Sequence, residues 1–438
     1  MHDLETAQPL IPITPTSTEA PERPWVFGLL IAPMAVFVNG ITAGVLSLLL
    51  RQRGISSARQ GEIISLLAIP TFVYFLWSPI TDFWIRRRNW LIIGSLTAAA
   101  MIVVAFHRPN LGSRSAVICL FIGACLAQLI VSSCGGMMGA LHSEATRRRA
   151  SSFYQGGSLA FGAVAIFILA SLSERYSPAT LGWIAAALIA LPALFAFAAP
   201  KQPFVQTHGL DETLSRIWSE FKTTFITWRA LPYTLLMTFP MGSGAAIGLL
   251  PGLATDYGIS TQQIAWMNGI GGALLTAAGA MAIVLIPARV RASVAYLSVC
   301  LINTLPLAIL WLGPLRPSTY FIGSTLYLFT IGAAYALFTA VVLEFLGVSG
   351  KTGSGRYSII NSLGNVPVAY MAFLDGQGSA HFGPRGLPGT EAVLGAIGGS
   401  LLLTYFLTHK RQKPTINYYR DEERLKSCCL EAPLTERL

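Results

Sequence analysis

Charge is what this sequence has least of. Of its 438 residues only 11% are Asp, Glu, Lys or Arg, against about a quarter in an average soluble domain. So few charges cannot cover a water-facing surface. That argues against a soluble globular enzyme and against a nucleic-acid-binding domain with a basic face. Cysteine is also scarce, and the six present show no metal-ligand spacing. Cys119, Cys125, Cys134 and Cys300 lie in apolar runs, where thiols behave as small hydrophobes. Cys428 and Cys429 lie in the C-terminal tail, and a disulfide framework is not expected. There is no HExxH pair, no recognisable Ser-His-Asp set and no GxxxxGK[ST] loop. Zinc hydrolysis, acyl transfer and ATP use therefore have no motif to rest on, and no cofactor is expected.

What is abundant is apolar sequence, 53% of the chain. It falls into twelve runs near 26–50, 63–80, 90–106, 116–141, 153–172, 181–199, 233–255, 264–286, 294–312, 320–346, 357–374 and 392–408. Their lengths cluster around the roughly 20 residues that cross a bilayer. Backbone amides in hydrocarbon must be paired within the segment, so the runs predict helices. The runs at 90–106 and 392–408 are short and call for tilt or interfacial anchors. The expected fold class is an all-α membrane protein of twelve transmembrane helices in two six-helix bundles.

Basic residues set the expected orientation. With both termini in the cytoplasm, the inner side holds Arg86, Arg87, Arg88, Arg147, Arg148, Arg149, Lys201, Arg289, Arg291, Lys351, Arg356 and the basic C-terminal tail. Most of the 30 Lys and Arg residues then lie inside, the positive-inside bias. Arg51, Arg53 and Arg59 in the first outer loop are the exception. The net charge of +10 therefore reports topology, and nucleic acid is not an expected partner. The opening residues, "MHDLETAQPLIPITPTSTEAPERP", are acidic and rich in Pro and Thr, which reads as a disordered tail rather than a cleaved leader.

The two halves of the chain echo one another. "SFYQGG" from Ser152 and "SIINSL" from Ser358 enter runs five and eleven at the same offset that relates runs one and seven, a placement that fits a duplication. Between the halves Leu210, Leu214, Ile217, Trp218, Phe221, Phe225 and Trp228 recur at helical spacing on one face. That pattern predicts an amphipathic helix on the inner membrane surface. The expected organisation is a tail at 1–24, bundles at 25–199 and 232–408, a cytoplasmic linker at 200–231 and a second tail at 409–438.

The stretch "WSPITDFWIRRRNW", residues 77–90, puts Asp82 and Arg86, Arg87 and Arg88 between two greasy runs. A small residue, three others, Asp and then a basic cluster, between spans two and three, resembles the signature of the major facilitator superfamily. Ser78 stands for the usual glycine, and Phe83 for a basic residue. The Trp-Ser-Pro-x-x-Asp form, with "GRYSIINSLGNVP" at 355–367, is similar to the branch holding peptidoglycan-fragment permeases, acetyl-CoA carriers and siderophore importers. The resemblance implies a secondary transporter with an inner gate made of Asp82, Arg86, Arg87, Arg88, Glu144 and Arg147. The bland alternative is that the arginines only fix topology, which leaves a buried-edge carboxylate such as Asp82 unexplained.

Resemblance places the solute site at mid-membrane between the bundles, and polar residues inside spans are the candidates. We single out Asn39, Gln128, Tyr154, Gln155, Asn268, Tyr327, Asn361 and Asn365; each has an interhelical hydrogen bond as its alternative role, and Asn361 and Asn365 stand above the rest because they share a helix face beside Gly364 and Pro367. No His, Lys or Arg falls in mid-span. Glu344 reads as the one intra-span carboxylate, either a proton-coupling acid or a gate residue. The expectation is a monomeric, multi-pass carrier in the plasma membrane, a bacterial inner membrane. It takes a small or mid-sized amphiphile together with protons, with drug or metabolite export as the alternative. A membrane-embedded enzyme or a channel is more distant.

Overall fold

The computed structural model describes residues 23–139, 141, 144–199, 215, 218–219, 221–222, 230–287, 289–349, 360 and 362–409. Among them there is no strand. The first six helices are α1 (Val26–Arg51), α2 (Ser57–Val73), α3 (Arg87–Phe106), α4 (Arg114–Gly139), α5 (Glu144–Leu172) and α6 (Pro178–Ala193). After residue 230 come α7 (Leu231–Thr238), α8 (Ala245–Leu253), α9 (Thr261–Leu285), α10 (Ala292–Leu312), α11 (Pro317–Ser349), α12 (Val366–Phe382) and α13 (Gly386–Thr408). Nine helical stretches among the described residues are long and apolar enough to cross a membrane, the last being the 43-residue run that holds α12 and α13. The distal end of the molecule, opposite Val26 and Thr408, carries the α1–α2, α5–α6 and α8–α9 connections.

Three expectations change. The run at 233–255 is two helices, α7 and α8, separated by Phe239–Gly244. The eleventh run, expected at 357–374, extends as α12 to Phe382, and the twelfth, expected from 392, starts at Gly386. Hydropathy alone ends a span at its polar residues. In a bundle they can continue a helix if they face protein rather than lipid. Helix α2 stops at Val73 and gives way to tight 3-10 turns at Tyr74–Leu76 and Ser78–Asp82, so Asp82 closes the turn and not the helix. The linker helix expected at 200–231 lies largely outside the described residues. Within it Trp218 and Phe221 stack at 5.7 Å, and Phe221 stacks on Phe75 at 6.2 Å.

Packing repeats along the chain. Helix α3 lies on α4 and α6, and α10 lies on α11 and α13. Small residues set the closest approaches, as expected where hydrophobicity gives helices no reason to associate in lipid. A Cβ on Gly28 of α1 would sit 2.9 Å from the Phe153 carbonyl of α5. Between the N- and C-terminal bundles the main contacts are α2 with α12, α5 with α9, and α8 with α1.

Candidate functional site

The break between α7 and α8 reads Phe239-Pro240-Met241-Gly242-Ser243-Gly244. Gly242 and Gly244 have φ of +59° and +73°, a region other residues rarely enter. The hydroxyl of Tyr335 also occupies the place a Cβ on Gly244 would need. Unwinding frees backbone carbonyls, which in hydrocarbon must find donors. Tyrosines supply them. Tyr370 donates to Thr238 O at 2.7 Å, Tyr296 to Met241 O at 3.4 Å and Tyr335 to Ser243 O at 3.4 Å.

The N-terminal end of α8 meets a carboxylate. Ala246 N–H donates to Glu391 Oε2 at 3.0 Å, and Ser243 Oγ donates to Glu391 Oε1 at 3.0 Å while accepting from Ala245 N–H at 3.1 Å. Tyr327 Oη adds a third bond to Oε1 at 3.1 Å. A half-helix N-terminus carries partial positive charge, so an acid is stabilised there. Next to it, near the middle of α12, Asp375 is fully buried. It lies one turn before Gly378, which packs against Thr390, the neighbour of Glu391 on α13, and no donor among the described residues hydrogen-bonds either of its oxygens. These two acids correct the reading of Glu344 as the one carboxylate inside a span. The sequence hint was available: Pro240, Gly242 and Gly244 interrupt the seventh run, and interrupted spans mark binding sites in transporters.

Glu344 sits elsewhere, at the start of α10. It accepts from Tyr233 Oη at 2.9 Å, from Ser293 N–H at 3.1 Å and from Ser293 Oγ at 3.3 Å, and Arg291 lies 3.7 Å away. That is a helix N-terminus closed by an acid and tied to α7.

Of the polar candidates, Asn39 donates to Ser158 Oγ at 3.0 Å and joins α1 to α5. Asn268 donates to Tyr320 Oη at 3.4 Å, within the C-terminal bundle. Asn365 donates to the Thr71 carbonyl at 3.2 Å and so joins the two bundles. Tyr327 is committed to Glu391. Gln128 is buried, Tyr154 half-buried and Gln155 exposed. Asn361 lies outside the described residues.

At the proximal end the side chains of Asp82, Glu144 and Arg147 also lie outside the described residues. Arg86 provides the N-cap of α3. Arg87 donates to the Gly136 carbonyl of α4 at 2.7 Å, and Arg88 lies over the Phe197 ring at 5.6 Å. Trp84 between them takes φ of +65°, a costly conformation for a bulky residue that fits a functionally constrained turn.

The distal end is where the bundles are visibly fastened. Arg51 of α1 and Asp256, just beyond α8, pair at 2.6 Å. Thr261 of α9 hydrogen-bonds Glu174, just beyond α5. Gly252 N–H donates to Ser47 Oγ at 3.2 Å, and α2 touches α12 at Gly61 and Gly376. The Arg51–Asp256 pair is partly exposed, with side chains 35% and 22% accessible, so it holds on the order of 1 kcal/mol. A double-mutant cycle with Arg51→Ala and Asp256→Ala should therefore show a coupling near that size, read from the distance between spin labels on the two bundles. Strictly additive effects would mean the pair does not fasten them.

Comparison with known proteins agrees with this architecture. The family model for the Major Facilitator Superfamily matches residues 28–369. Among solved structures, nucleoside transporter NupG superposes with a TM-score of 0.66 at 14% identity, covering 88% of this chain and 99% of that one. Peptide transporter POT in complex with sulfate gives 0.63 at 10% identity, covering 87% and 93%. A D-xylose-proton symporter gives 0.62 at 12% identity, covering 86% and 95%. At such identities the superpositions speak for the fold, and the family match goes further: the chain belongs to the Major Facilitator Superfamily.

Proposed function

We propose that this protein is a secondary active transporter that carries a small or mid-sized, amphiphilic solute by alternating access, driven by a proton gradient. The observation that carries the reading is the fastening of two helix bundles across the distal end by pairs that are individually weak and polar. Contacts of that kind can be exchanged for others at the opposite end at small net cost, as a carrier with two states of similar energy requires. The proximal counterpart would be Asp82, Arg86, Arg87, Arg88, Glu144 and Arg147. Twelve crossings with both termini in the cytoplasm and a site in a bacterial inner membrane complete the reading, and they rest on the distribution of arginines and lysines.

Asn365, Gln128, Tyr154 and Gln155 are the solute contacts we favour, with Asn361 one helical turn from Asn365. Asn39 and Asn268 serve helix packing in the distal-closed arrangement. The solved relatives carry a nucleoside, a peptide and D-xylose by name, and one is named a proton symporter. Together with the likeness of "WSPITD" to permeases of peptidoglycan fragments and siderophores, this supports a solute with several hydrogen-bonding groups. Export of drugs or metabolites has no specific observation in its favour.

The test is uptake into proteoliposomes from a panel of nucleosides, sugars, dipeptides, muropeptides and siderophores, with and without a pH gradient. A carrier should give saturable uptake and counterflow for at least one class. Flux that neither saturates nor shows counterflow would contradict it.

A further inference from the structure

Two acids buried side by side in a membrane helix bundle are unusual enough to require a use. Isolated charges at this depth are expensive, and two adjacent carboxylates repel strongly unless one holds a proton. Glu391 is well supplied with donors, namely Ala246 N–H, Ser243 Oγ–H and Tyr327 Oη–H. Asp375 has none among the described residues. Both acids belong to the same contact between α12 and α13, where Gly378 packs against Thr390, and a proton shared between two neighbouring carboxylates removes their repulsion. We propose that Asp375 and Glu391 bind one shared proton, and that this proton is the condition for closing the distal end.

The link to closure is one residue long. Gly376, next to Asp375, is the point where α12 rests on Gly61 of α2. A small cavity lies at the same contact, lined by Ser57, Gln60 and Ser379 and by Leu249, Leu253 and Leu387. With the proton bound, α12 and α13 hold together and α12 can lie against α2. With it lost, two negative charges in a dry site push α12 away from α13 and off its seat on α2. Closure is therefore favoured at low pH and lost as pH rises.

Few other groups compete for this role. Among the described residues Tyr327 of α11 hydrogen-bonds Glu391, while Tyr335 of the same helix donates to the Ser243 carbonyl. Helix α8 carries no titratable residue, α2 presents Gln60 beside Gly376 and pairs its charged residues Arg59 and Glu62 with each other at 2.8 Å, and Tyr296 of α10 and Tyr370 of α12 are spent on the broken segment. Arg385, which precedes α13, donates to the Gly313 carbonyl and not to the pair. The solute enters nowhere in this chain of events, although the sense of the coupling rests on the transporter reading above.

The experiment uses the full chain in lipid nanodiscs, without native cysteines and with spin labels at Tyr176→Cys and Gln262→Cys, both exposed at the distal end. The label separation is measured across a pH series, with infrared detection of the protonated carboxyl band in parallel. One linked proton changes the ratio of closed to open molecules by up to about tenfold per pH unit. Wild type should open as pH rises, in step with loss of the infrared band. Asp375→Asn, which removes no hydrogen bond accepted from a described residue, should remove that band and flatten the pH dependence with the distal end closed. A pH dependence in Asp375→Asn equal to wild type, or none in wild type, would overturn the proposal. So would closure that follows added sodium at constant pH. Neither readout needs a solute. A protein that titrates and opens as described but shows no carrier-type flux would leave the proton site standing and remove the transport reading.

Discussion

Gly61→Leu should hold the distal end of the molecule open. A Cβ at this position would lie 2.5 Å from the Ala372 carbonyl oxygen and 2.7 Å from Gly376 Cα. Both obstacles are backbone, so no side chain can swing aside, and α2 and α12 must separate. Forcing atoms into such a contact costs about 1–3 kcal/mol. Falling on one of two states, that is roughly a five- to 150-fold change in their ratio. The labels at 176 and 262 should report a long separation as the dominant one. Gly156→Leu is the control, because a Cβ there meets nothing within 4 Å. A folded Gly61→Leu protein that keeps the wild-type short separation would show that α2 and α12 do not form the distal seal.

Glu391→Ala should cost the C-terminal bundle far more than Glu391→Gln. Alanine leaves Ala246 N–H, Ser243 Oγ–H and Tyr327 Oη–H pointing into an empty, dry space. Each buried donor left unpaired costs about 1–3 kcal/mol, and the void adds its own penalty. Even with allowance for relaxation, a loss of at least about 3 kcal/mol is expected, seen as a large fall in the thermal unfolding midpoint in detergent. Glutamine keeps the volume and one acceptor, and its amide N–H groups can turn toward Asp375. Equal stabilities for the two variants would mean that Glu391 does not hold the broken helix.

The helices were largely readable because the bilayer leaves the backbone no alternative. Runs such as 26–50 and 294–312 contain almost nothing but apolar residues, and they became α1 and α10 within a few residues. The segment "FLDGQGSAHFGPRGLPGTEAV" was not readable in the same way. Its Asp, Gln, His, Arg, Glu and seven glycines and prolines look like an outer loop when hydropathy is averaged, yet all but a three-residue turn, Gly383–Arg385, is helix. Asp375 and Glu391 were hidden by the feature that makes them useful. The partners of Glu391 are Ser243, Ala246 and Tyr327, distant in sequence, and Asp375 accepts no hydrogen bond from a donor among the described residues, so nothing local marks either as buried. Glu344 misled for the opposite reason: its neighbours in sequence are apolar, but the fold brings it Arg291 and the start of α10.

The motif at 77–90 was informative about family and silent about geometry. Arg86 stands at the N-cap position of α3 without a side-chain capping bond, and Arg87 ties α3 to α4. Those roles fit a positioning function for the turn that presents Asp82.

Alternating access requires the two bundles to exchange closure at one end for closure at the other. Its most direct test is paired distance measurement on both ends of one reconstituted protein. The distal pair is 176 with 262, and the proximal pair is Arg149→Cys with Arg289→Cys, both exposed. Across pH, and with any solute found by uptake screening, the two separations should change in opposite senses, the distal one short when the proximal one is long. Two separations that stay fixed together, or lengthen and shorten together, would contradict alternating access.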